Sequence, residues 1–67
     1  MTTQTNARPW YDMQERTPEG WRTHRAYRRP ESALTLLRRT AATYPTGTYR
    51  VCHLDATGAL IVDAMRG

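Results

Sequence analysis

Apolar residues along the chain follow two different periods. From Pro30 to Tyr44 they recur at helical spacing, with Leu34, Leu37, Ala41 and Tyr44 along one stripe and Ala33, Leu36 and Thr40 widening it. Ser32, Thr35, Arg38, Arg39 and Thr43 fall on the other side, so one face of this segment is built to be buried. Pro30 suits the first helical position, because it lacks the amide proton that would be unpaired there, and the Glu31 carboxylate complements the positive helix end. Pro45 forbids continuation, and Arg38 and Arg39 lie toward the negative end. The pattern predicts one helix over about residues 30–44, a length that is marginal in water without a partner surface.

On both sides of the helix the period shortens to two. Trp10–Arg16 and Trp21–Arg28 read as strands around the turn Thr17-Pro18-Glu19-Gly20, and Thr48–Leu54 and Ala59–Met65 as strands around Asp55-Ala56-Thr57-Gly58. A three-residue loop closed by a glycine bulge at each turn pairs Thr17 with Trp21 and Leu54 with Leu60. In the first hairpin this register places Tyr11, Met13, Trp21 and Tyr27 on one face and Trp10, Gln14, Arg16, Arg22, His24 and Arg28 on the other. In the second it gathers Cys52, Leu54, Leu60 and Val62 and leaves Tyr49, Val51, His53 and Ile61 on the reverse. The spacing of Tyr11, Met13, Thr17 and Gly20 recurs as Tyr49, Val51, Asp55 and Gly58, which is what any such hairpin requires and is not read as a functional repeat.

The order strand, strand, helix, strand, strand predicts an α+β fold of two layers, one antiparallel sheet with a single helix on one face. The helix is expected on Cys52, Leu54, Leu60 and Val62, with Tyr11, Met13 and Tyr27 completing the core. That placement leaves Tyr49, Val51, His53 and Ile61 unusually apolar for a face open to water, and makes them the expected protein interface. Strand order stays open.

Length and composition narrow what such a fold can be. Met1–Arg8 is polar and without period and is read as a disordered tail, leaving 9–67 as a single domain. In a chain of 67 residues a core rarely supplies more than about 3–5 kcal/mol, so a disulfide, a metal or a partner chain usually supplements it. Cys52 is the only cysteine, and with His24 and His53 it is too little for a zinc site, so a homodimer or a complex is the expected supplement. The longest apolar run, Ala59–Val62, is far short of a membrane span, and the start of the chain lacks a secretory pattern, so the expected location is the cytoplasm. The net charge of +4 rests on ten arginines and no lysine, a basic surface suited to phosphates, carboxylates and aromatic faces.

Candidate chemistry is sparse. Cys52 and His53 are adjacent on a strand and point to opposite faces, and the acidic residues are dispersed, so no catalytic group, metal, cofactor or small-molecule substrate is expected. Two functions remain. One is a non-enzymatic module that binds a host protein or itself through a sheet face. The other is a nucleic-acid or acidic-partner site on the first hairpin, where Arg16, Arg22, His24, Arg28, Gln14 and Trp10 form a basic stripe that Arg29 extends toward the helix.

The passage from Trp10 to Arg39, with Gly20-Trp21-Arg22 closing the hairpin and Tyr27-Arg28-Arg29-Pro30-Glu31 leading into the helix, resembles the DNA-arm-binding domain of phage-type tyrosine recombinases. That resemblance implies a sheet laid into a DNA groove with Arg16, Arg22 and His24 outward. In size and style the chain is also similar to compact accessory proteins of bacteriophages and mobile elements, among them inhibitors of host defence.

Overall fold

A computed structural model describes residues 9–67; the tail expected over Met1–Arg8 lies outside the described residues. Two strands, β1 (Tyr11–Thr17) and β2 (Gly20–Tyr27), precede the helix α1 (Pro30–Thr43), and two more, β3 (Tyr49–Leu54) and β4 (Leu60–Arg66), follow it. All pair antiparallel in one sheet of order β2-β1-β3-β4, so each hairpin contributes one inner and one outer strand. The α+β architecture is the one the sequence pattern predicts.

The helix starts at Pro30, with Arg29 as the flanking residue in extended conformation and Glu31 in the first turn. It ends where the Tyr44 amide donates to the Thr40 carbonyl at 2.8 Å, one residue before Pro45. Tyr44 is thereby turned out to solvent instead of completing the apolar stripe, and Arg38 and Arg39 sit above the last turn, which carries no basic side chain. Ala33 and Leu37 are the buried centre of the stripe, with Leu34, Leu36 and Ala41 packed around them.

The helix lies on the face opposite to the one expected in the second hairpin. Pairing of β1 with β3 sets Met13 beside Val51 and Glu15 beside Tyr49, so Tyr11, Met13, Tyr49 and Val51 share one face. The reverse face of the same register pairs Cys52 with Asp12 and Arg50 with Gln14, which puts polar side chains at its middle. The first face is apolar at the middle of the sheet, and the helix covers it: Met13, Ala33, Leu37, Tyr49 and Val51 are 0–2% exposed. Tyr49 and Val51, expected in an interface, are therefore core residues. Leu54, Leu60 and Val62, expected under the helix, are exposed.

Two bulges and one loop set which side chains meet which face. In the first hairpin Thr17 pairs with Gly20, a two-residue loop instead of three, held by Thr17 Oγ1 donating to the Gly20 carbonyl at 2.8 Å while accepting from the Glu19 amide at 3.2 Å. Trp21 consequently faces Arg16 and moves to the open face. A bulge at His24 then restores the expected pairs Met13 with Arg25 and Tyr11 with Tyr27. The second hairpin keeps the expected pairs of Leu54 with Leu60 and Cys52 with Val62, and a bulge at Asp63 brings Ala64 opposite Val51 beneath the helix. Between helix and β3, Gly47 is required by packing, since a Cβ there would collide with the Tyr49 ring, whose hydroxyl donates to the Tyr44 carbonyl at 3.0 Å.

Candidate functional site

The open face of the sheet holds most of the exposed large apolar side chains among the described residues, together with the arginines that lie over indole rings. On the β3–β4 half stand Leu54, Leu60, Val62 and Met65, with Trp10 at their border on the β1 side, each 44–56% exposed. Alternation along β3 and β4 and the pairs Leu54–Leu60, Cys52–Val62 and Arg50–Met65 put these side chains side by side. A recess of about 360 Å³ opens among Pro9, Trp10, Asp12, His53, Leu54 and Leu60.

On the β1–β2 half, guanidinium groups lie over indole rings. Arg50 Cζ is 4.1 Å from the centroid of Trp21, Arg16 Cζ is 5.7 Å from the same ring, and Arg28 Cζ is 4.2 Å from Trp10. The centre of this half is Gln14. Its Oε1 accepts from Arg50 Nε at 2.7 Å and from Cys52 Sγ at 3.3 Å, while its Nε2 donates to Thr23 Oγ1 at 3.0 Å. One amide thus ties β2, β1 and β3 together and fixes the Arg50 side chain across the sheet.

Of the basic stripe expected on the first hairpin, Trp10, Gln14, Arg16 and Arg28 do share this face. Arg22 and His24 do not: the short loop and the bulge turn them to the helix side, where Arg22 Nη2 and His24 Nε2 meet Glu15 Oε1 at 3.4 and 2.7 Å. His24 and Glu15 line a recess of about 380 Å³ together with Thr40, Tyr44 and Tyr49. Arg29 flanks the helix start and belongs to neither group. Trp21 and Arg50 are the members that sequence reasoning missed. Trp21 was assigned to the wrong face by the loop length, and Arg50 joins only through the β1–β3 register, for which no local signal exists.

The remaining expected interface residues lie on the helix side. His53 Nδ1 bonds Asp63 Oδ2 at 2.7 Å and its ring stands 4.9 Å from that of Tyr11, while Ile61, paired with His53, is exposed beyond the helix. Cys52 faces away from His53, as strand alternation requires, and burial pushes its thiol pKa up, so the sulfur is held as a neutral donor to Gln14. Burial likewise raises the Tyr49 phenol, with the Glu15 carboxylate adding to the shift. Among the described residues no group of three or more His, Cys, Asp or Glu converges as a metal site, and no helix is long and apolar enough to cross a membrane.

Comparison of the chain with protein-family models, with curated proteins and with solved structures finds no match.

Proposed function

We propose that the chain is a non-enzymatic binding module that associates with a second copy of itself through the apolar half of its open sheet face. The observation that carries this reading is the cluster of Leu54, Leu60, Val62 and Met65, half exposed together on the face the helix leaves bare. A contiguous apolar surface of this kind is uncommon on a monomer, and covering it is favourable by about 25 cal/mol per Å² removed from water. The core of a chain this short gains from such an addition.

Charge placement supports a second copy as the occupant. A two-fold axis parallel to the strands, between β3 and β4, sets the β4 of one copy over the β3 of the other and sends the two β1–β2 halves to opposite sides. Arg16, Arg28 and the guanidinium of Arg50, which leans across Gln14 to Trp21, then stay clear of their counterparts. The patch is a handful of side chains on two strands, against the roughly 20–30 residues a side of a standard interface, so the dimer is a weak one, with dissociation in the micromolar range.

Sedimentation or light scattering from roughly 10 µM to about 1 mM tests it, a range that brackets a micromolar constant. Wild type is expected to pass from monomer to dimer mass, and the uncharged double variant Leu60→Asn/Val62→Asn to remain monomeric with unchanged circular dichroism. A wild type of monomer mass throughout overturns the reading, including where another protein is captured through the same patch.

A further inference from the structure

The half of the open face that the proposed dimer leaves uncovered has its own chemistry. Arg50 is held at two points: its Nε donates to Gln14 at 2.7 Å, and its Cζ lies over the Trp21 ring, 4.1 Å from the centroid. Gln14 is in turn held by Thr23. Held at these two points, the Arg50 guanidinium presents a planar fork of donors in a set position on the open face. Ordering a long arginine normally offsets much of what its contacts contribute; here folding has already ordered it. Arg16 stands by the same indole, and Arg28 lies over Trp10 six residues away along β1, about 20 Å at the rise of an extended strand.

We infer that this guanidinium–indole array, Arg16, Arg50 and Trp21 at one end and Arg28 and Trp10 at the other, binds the phosphate backbone of a single-stranded nucleic acid laid along β1 and β2. The inference goes beyond the dimer and does not depend on it. Two arginine sites about 20 Å apart exceed the reach of one phosphate and suit a chain of repeated charges. Guanidinium planes and indoles are also the surfaces on which unpaired bases stack, a use that a carboxylate-bearing protein partner would not make of them.

A duplex fits less well. A two-stranded ribbon enters the major groove, which is about 12 Å wide, but β1 is an inner strand here, and the axes of the outer strands of a four-stranded sheet are about 14 Å apart before side chains are added. On the open face of β1 and β2 the single carboxylate is Asp12. Glu15 is turned to the helix side, engaged by Arg22 and His24.

Fluorescence anisotropy of labelled mixed-sequence single-stranded DNA and RNA, with the matching duplex and poly-glutamate as competitors, tests the inference in the full chain. Single strands are expected to bind at low salt with a log–log salt slope near −2, about −0.7 for each of three arginine contacts. Arg50→Ala should flatten that slope by about 0.7, whereas Trp21→Ala should weaken binding several-fold with less change in slope. Arg38→Ala, on the exposed helix surface, should do neither.

Absence of binding at low salt overturns the inference. So does a duplex or poly-glutamate competing as well as the single strand, or an Arg38→Ala effect equal to that of Arg50→Ala. The Leu60→Asn/Val62→Asn variant separates the two proposals. If it is monomeric and binds with the wild-type slope, the array works without the dimer. If wild type is monomeric yet binds, only the self-association fails.

Discussion

The first hairpin, Tyr11–Tyr27, and the second, Tyr49–Arg66, share a plan: each has a turn ending in a glycine at positive φ and one bulge on its outer strand. They differ by one residue in the loop, and their open surfaces differ in kind. The first closes over Pro18 and Glu19 and shows arginines stacked on indoles; the second closes through the Asp55 amide bonded to the Ala59 carbonyl at 2.9 Å and shows leucine, valine and methionine. Loop length, more than composition, decides which side chains of a strand are offered to a partner, because each one-residue slip exchanges the two faces.

The contrast rests on both hairpins having one common buried face, and the largest effect should come from attacking it. Leu37→Ala, beneath the helix, is expected to cost about 2–5 kcal/mol in urea unfolding, enough to unfold much of the protein. Val62→Ala, on the same sheet but facing out, should cost well under about 1 kcal/mol. Equal losses at the two sites would mean that the open face is covered as thoroughly as the helix side.

A smaller effect separates the turns. Gly20 has φ of +119° and Gly58 of +85°, with open space around a Cβ at either position, so only backbone strain opposes a side chain. Gly20→Ala lies further from the left-handed region that L residues tolerate and should cost about 1–2 kcal/mol, with Gly58→Ala nearer the lower figure. Thermal denaturation of both variants checks the order, and the reverse order would contradict the two-residue loop.

The smallest effect is one of pH. Asp55 Oδ1 accepts from the Thr57 hydroxyl at 2.7 Å and from the amides of Thr57 and Ala59 at 2.8 and 2.9 Å, which hold its carboxyl below the usual range. A lowered folded-state pKa contributes stability that is present above the ordinary carboxylate value and lost as pH falls through the lowered one. Amide protection at Thr57 and Ala59 should therefore fall between about pH 5 and pH 2, and Asp55→Asn should remove that dependence. The first turn is held by the Thr17 hydroxyl, so the Glu19 amide should show no comparable change.

Much of the fold could be read from residue pattern alone, since Pro30, the Leu34–Leu37 stripe, Pro45 and the two turns mark every element boundary to within about two residues. The second hairpin's register was legible too. The face the helix covers was not, because it depends on β1 meeting β3 with Met13 beside Val51, a long-range pairing that no local pattern encodes. The recurrence of Tyr11 and Met13 as Tyr49 and Val51 was the available hint: these are the strand positions that make the common core face. On the open face, Trp10, Gln14, Arg16 and Arg28 were legible as a group by alternation. Trp21 and Arg50 depended on a loop shorter than its turn residues suggest and on the same unread pairing.

Both bulges lie on outer strands, at His24 in β2 and Asp63 in β4. An outer strand normally offers a straight row of amides and carbonyls onto which further chains can add without limit, and a bulge with a charged or titratable side chain breaks that row. Two irregular margins oppose the edge-to-edge stacking that an apolar sheet face would otherwise encourage. Growth of the sheet in width is thereby disfavoured, which leaves the open face as the route for the association proposed above.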